Sequence, residues 1–149
     1  MNASPSTRVD AATHDAYVLA RAESEYRRLR EQAVLWSREN DAAFEAIALG
    51  EGMRVLDVGC GPGSLWPDLA ERVGAGGGII GIDVDADACA YLRDALGPTL
   101  PCHTESHCLD VATSPFLSDD GFDVVLARLF LFHQRDPVAA LRWLWAQVR

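Results

Sequence analysis

Positive charge is scarce in this chain: 13 basic residues face 22 acidic ones, for a formal charge of −9. An acidic surface repels a nucleic-acid backbone over most of its area, so no nucleic-acid partner is expected. A neutral or cationic small ligand suits that field better. Long apolar runs are also missing. No stretch approaches the ~20 residues of a membrane span, and residues 1–17 are polar with no apolar signal core. Cysteine is sparse. Cys60, Cys89, Cys102 and Cys108 follow no disulfide framework, which reads as free thiols in a cytoplasmic chain. Cys102, His103, His107 and Cys108 bunch together, yet their spacing fits no zinc pattern. In a strand, His103, Glu105 and His107 share one face and the cysteines leave it, so no metal site is expected.

What is present is ordinary globular material. The 149 residues are 49% hydrophobic and 23% charged, enough for one domain with a real core. Residues 1–13 are small and polar and read as a disordered tail. Residues 14–50 read as a helical cap. A first helix spans residues 17–36, with Tyr26, Leu29, Ala33 and Trp36 at helical spacing and Glu23 four before Arg27. A second spans 41–49, capped by Asn40 or Asp41, with Phe44, Ile47 and Ala48 as its apolar stripe and Gly50 as its stop.

From residue 51 the texture changes to alternating strands and helices. Strands are expected at 53–59, 79–84, 103–110 and 122–132. Helices are expected at 64–74 with Ser64 as cap, at 85–97 ended by Gly97 and Pro98, and at 136–149 with Asp136 as cap and Pro137 in the first turn. Val138, Leu141, Leu144 or Trp145, and Val148 form the inner stripe of the last helix. The alternation predicts an α/β fold, a doubly wound, mostly parallel sheet with right-handed crossovers.

In such a fold the ligand sits beyond the carboxyl ends of the strands, beside the loop after the first one. Here that loop reads VLDVGCGPG. Gly59, Gly61 and Gly63 give G-x-G-x-G, where a dinucleotide fingerprint is G-x-G-x-x-G. Asp57 precedes them at the strand's end. A phosphate within about 4 Å of that carboxylate is repelled by roughly 4 kcal/mol at an effective dielectric near 20. An ammonium or sulfonium is attracted instead. Asp83, ending the second strand, suits two ribose hydroxyls. Asp110, closing the third, suits an adenine amino group, with Leu109 and Val111 near the ring. A ribose, a positive charge and an adenine together indicate S-adenosylmethionine. A nicotinamide-dependent oxidoreductase is the minor alternative.

The segments VLDVGCGPG, GIDVD, LDV and FDVVLARLFLFHQRDPVAALRWLWAQVR, in that order, resemble the class I S-adenosylmethionine-dependent methyltransferases. The likeness is greatest to their bacterial small-molecule group, whose helical cap the leader AYVLARAESEYRRLREQA resembles. That resemblance implies that Asp57, Gly59, Cys60, Gly61 and Gly63 hold the methionine end of the cofactor. It assigns the ribose to Asp83, the adenine surroundings to Val84, Asp110 and Val111, and the amino group to the backbone around Ala127 and Arg128. It implies a Rossmann-like sheet of which only four of seven strands are represented, and hence an incomplete domain over 51–149.

Methyl transfer is an in-line displacement, so the protein mostly aligns the reactants in a dry pocket. A base is needed only where the acceptor loses a proton. His133, just after the fourth strand, is the candidate, and Tyr17 is a candidate to close over the site from the leader. The expected activity is methyl transfer to a small-molecule acceptor. The alternative is a non-catalytic S-adenosylmethionine-binding module completed by a partner chain. An open fourth strand of apolar residues invites pairing with a second copy or a partner.

Overall fold

The segment Arg54–Val58 forms strand β1, and four of its five residues are buried because both faces of the sheet there are covered. A second apolar run repeats this arrangement in β2 (Gly78–Asp83), whereas β3 (His103–Cys108) is polar and partly exposed and β4 (Val124–Leu126) is half-buried. The four strands form one parallel sheet in the order β3-β2-β1-β4. The chain winds outward from β1 to β3, then returns to the other side of β1 for β4. That reversal opens a crevice at the strand ends. The computed structural model describes residues 24, 26, 28, 31, 35–114 and 120–149.

Helix α1 (Ser37–Ala46) leads into the sheet. Helix α2 (Trp66–Val73) follows β1, α3 (Ala86–Tyr91) follows β2, and α4 (Pro137–Ala146) follows β4. Val55, Trp66, Leu69, Val73, Ile79 and Leu92 fill the core on one face of the sheet. Leu56, Val58, Ile80, Ile82, Phe122 and Leu144 fill it on the other. Each such side chain stabilises the fold by roughly 1.5–3 kcal/mol relative to exposure. Phe44 and Leu49 belong to the first of these cores, so α1 is anchored to the sheet.

The doubly wound parallel expectation holds. Several local expectations do not. Asn40 and Asp41 lie inside α1, whose cap is Trp36, and Ile47 and Ala48 are exposed while Leu49 is buried. Ser64 does not cap α2: the chain turns once from Gly63 to Trp66, and the cap residue is Leu65. The helix expected over 85–97 stops at Tyr91. It widens into a π-turn, Leu92–Leu96, then tightens into a 3₁₀ turn, Gly97–Thr99, so Gly97 keeps a right-handed φ of −52°. The fourth strand is three residues long instead of eleven, because Leu129 adopts a φ of 55° and turns the chain. The inner face of α4 is Ala140, Leu144 and Gln147, whereas Val138, Leu141 and Trp145 are exposed.

Asp136 does cap α4, its carboxylate accepting from the Ala139 amide at 2.9 Å. Beyond α4, Val148 makes a parallel bridge with Phe122, a first rung beside the start of β4. The tail over residues 1–13, Tyr17, Leu29, Ala33 and the Glu23–Arg27 pair lie outside the described residues.

Candidate cofactor-binding site

A cavity of about 520 Å³ lies beyond the carboxyl ends of the strands, and residues following all four of them line it. Of the described residues expected at the site, all line this cavity except Gly63 and Ala127. Gly63, with a φ of 71°, turns under the loop instead, and a Cβ there would run into the Leu92 side chain. Gly61, with a φ of 50°, has nothing within 4 Å of a Cβ position, so its Cα faces open space.

The loop's amides decide which ligand it can take. The Gly59 and Cys60 N–H groups both donate to the Ile82 carbonyl, at 2.8 and 3.2 Å, and Gly63 N–H donates to Cys60 O. Gly61 N–H donates to the Asp83 carboxylate at 2.8 Å. Those donors are turned onto the end of β2 and the loop itself. A phosphate cradle needs such amides free and convergent. These four amides are therefore unavailable to the phosphates of a dinucleotide.

Asp57 is 3% exposed and sits in the middle of the sheet, paired with Gly81 on one side and Leu126 on the other. Its carboxylate accepts from Trp66 Nε1 at 3.2 Å. Burial pushes its pKa up to about 6, the Trp66 bond and the Arg128 guanidinium pull it down, and Asp83 adds a further upward push. Arg128 Nη1 is buried and has no hydrogen-bond partner among the described residues. A buried, unsatisfied donor of this kind is costly. One end of the cavity thus holds a buried carboxylate with a single side-chain hydrogen bond, and near it a guanidinium whose Nη1 lacks an acceptor among the described residues.

Asp83 is half-buried. One oxygen takes Gly61 N–H and the other takes Asp85 N–H at 2.9 Å, which leaves each oxygen a lone pair for a ligand hydroxyl. Asp110 is exposed, and its carboxylate accepts from the Ala112 amide at 2.9 Å. It lies two residues past the end of β3, so it does not close that strand. Val84 is 69% exposed, and the Cys60 thiol is pushed far up by burial and is inert as a nucleophile. His133 lies in a 3₁₀ turn, Leu131–His133, with its ring 4.1 Å from that of Phe132.

Arg28, Leu129, Phe130 and Phe132 also line the cavity and were not anticipated. Leu129 carries no sequence signal for its left-handed φ. Phe132 was read as part of a strand. The cluster His103, Glu105 and His107 does share one face: both histidines bond Glu105, at 2.8 and 3.2 Å, and hold its carboxyl below its ordinary range. No group among the described residues can hold a metal ion. Among the described residues, no helix is long and apolar enough to cross a membrane.

The fold is a doubly wound α/β domain with an open cavity at the carboxyl ends of its strands. Residues 55–149 match the methyltransferase-domain family. Phosphoethanolamine N-methyltransferase 1 of Arabidopsis thaliana is 33% identical over 99 residues, which cover 66% of this chain and 19% of that protein. Nocamycin O-methyltransferase of Saccharothrix syringae is 37% identical over 91 residues, 60% of this chain and 32% of that one. The crystal structure of a SAM-dependent methyltransferase from Aquifex aeolicus superposes with a TM-score of 0.71 at 24% identity, covering 85% of this chain and 66% of that one. The chain belongs to the methyltransferase-domain family, whose cofactor is S-adenosylmethionine. It spans 19% and 32% of the length of the two curated relatives.

Proposed function

We propose that this chain binds S-adenosylmethionine and directs its methyl group to a small-molecule acceptor. The observation that carries this reading is the buried Asp57 carboxylate and the nearby Arg128 guanidinium, its Nη1 without an acceptor among the described residues, at one end of a cavity where the Gly59, Cys60, Gly61 and Gly63 amides are already used. The amino-acid end of the cofactor carries an ammonium for the first and a carboxylate for the second. Asp83 takes the ribose hydroxyls. Leu109, Asp110 and Val111, after β3, surround the adenine, with Val84 beside it. Gly59, Cys60 and Gly61 let the backbone approach the methionine chain. Gly63 supports the loop from beneath. When bound, the cofactor supplies an activated methyl on sulfur. His133 accepts the acceptor's proton where there is one to lose, and the site belongs to a cytoplasmic protein.

A second reading rests on the outward face of α4. Val138, Leu141 and Trp145 are 56%, 54% and 78% exposed, an apolar stripe of the kind that marks an interface. In that reading the chain binds the cofactor and a partner completes it. The edge of β4 offers such pairing only three residues.

Calorimetric titration with S-adenosylhomocysteine, with NADH as control, tests the proposal. Binding of the homocysteine compound alone supports it. Binding of NADH with equal or greater affinity overturns it.

A further inference from the structure

The cavity wall changes chemistry from one end to the other. Toward β2 and β3 it carries Asp83 and Asp110. Beyond β4 it carries the apolar side chains Leu129, Phe130 and Phe132, flanked by Arg128 on one side and by His133 and Gln134 on the other. Phe132 is 70% exposed and Leu129 49%, large apolar surfaces left uncovered at the cavity mouth. Leu129 holds its position in a left-handed conformation, at a cost of about 1–2 kcal/mol for a residue with a Cβ. Such strain persists where the surrounding structure, or a function, requires the turn. Within residues 129–134, His133 is the only titratable group on the cavity wall.

Sheet order fixes what this wall faces. β4 lies next to β1 and farthest from β3. A ligand with its nucleoside over β2 and β3 and its ammonium at Asp57 brings its reactive sulfonium against the end of β4. With the cofactor so seated, the wall after β4 would border its methyl group on the side open to an acceptor.

We propose that Phe132 and Leu129 form the acceptor seat, and that the acceptor is a compact apolar ring bearing a neutral hydroxyl or amine. The inference rests on the methyl-transfer reading above. A ring lies flat on the Phe132 face and desolvates Leu129, while its nucleophile reaches both the methyl group and the His133 imidazole. The acceptor's lone pair forms the new bond to the methyl carbon, the carbon–sulfur pair departs with S-adenosylhomocysteine, and the acceptor's proton passes to His133. Residues 129–134 supply no guanidinium or ammonium for a phosphorylated or carboxylated acceptor, and Arg128 beside them is taken by the cofactor's carboxylate in the proposed function.

The test titrates indole, benzoate and ethanolamine into the free chain and into the chain saturated with S-adenosylhomocysteine, read by NMR shifts of the His133 ring. Wild type is compared with Phe132→Ala. The Phe132 ring is mostly exposed, so its removal leaves the fold intact, checked as an unchanged thermal midpoint. The expected result is that indole binds about tenfold tighter than either polar probe and loses about tenfold in Phe132→Ala. Equal binding of the three probes, or indole binding indifferent to Phe132→Ala, overturns the seat. The S-adenosylhomocysteine titration of the same wild-type sample reads the cofactor proposal separately. Indole binding that depends on Phe132 without any homocysteine binding keeps the seat and discards methyl transfer.

Discussion

Asp57 carries two opposed consequences. Its carboxyl is buried and its pKa is raised from 3.8 to about 6. A group with a raised native pKa binds more protons folded than unfolded between about 4 and 6. It therefore favours the free folded chain below that window, and this stabilisation is lost as pH rises through about 6, by up to about 3 kcal/mol. Cofactor binding runs the other way, since an ammonium prefers the ionised carboxylate. Affinity for S-adenosylhomocysteine is expected to fall as pH drops below about 6, approaching tenfold per unit, in calorimetry at pH 5 and 7.5. Asp57→Asn is expected to weaken that binding by about tenfold or more and to flatten both pH dependences. At pH 8 it is expected to make the free chain more resistant to urea. A variant that binds as tightly as wild type would show that the ammonium sits elsewhere.

At the scale of elements, two substitutions probe how the site is held. Gly63→Ala puts a Cβ at a φ of 71° and into Leu92, with Leu96 and Trp66 side chains 3.1 Å away. A loss of about 2–3 kcal/mol is expected in urea denaturation. Asp136→Ala removes the cap of α4 and is expected to cost about 1 kcal/mol by the same measurement. The elements that position the site were legible because their signals are local. β1, α2 and β2 are apolar runs cut by glycine, and Asp136 followed by proline announces a helix start. β4 was overread because VVLARLFLF is apolar throughout, and the turn at Leu129 uses neither glycine nor proline. The stripe of α4 was read out of phase for a similar reason. Gln147, a polar residue, is 1% exposed, and its Nε2 donates to Trp143 O at 3.3 Å, so its burial leaves no trace in a hydrophobicity pattern. At the site, the acids and glycines were visible as residue types. The apolar wall after β4 was not, because only the turn that carries Leu129 and Phe132 makes them neighbours of the cavity.

At the scale of the whole molecule, the formal charge is −9, and one exposed apolar stripe lies on α4, away from the cavity residues Leu129 and Phe132. Trp145 is 78% exposed, so Trp145→Gln is expected to leave the thermal midpoint within about a degree of wild type, since surface changes stay within about 0.5 kcal/mol. The same change is expected to reduce self-association in sedimentation velocity. Unchanged sedimentation would remove α4 as an interface. One feature of the architecture bears on survival in a cell. The ends of all four strands meet at a single cavity, so a ligand seated there is bound to every strand and must leave before the sheet comes apart. By mass action, a hundredfold excess of ligand over its dissociation constant adds about 2.7 kcal/mol to the free energy of unfolding. For a domain whose total margin is only about 5–15 kcal/mol, that is a large share. The lifetime of the folded chain is then expected to follow the supply of its ligand.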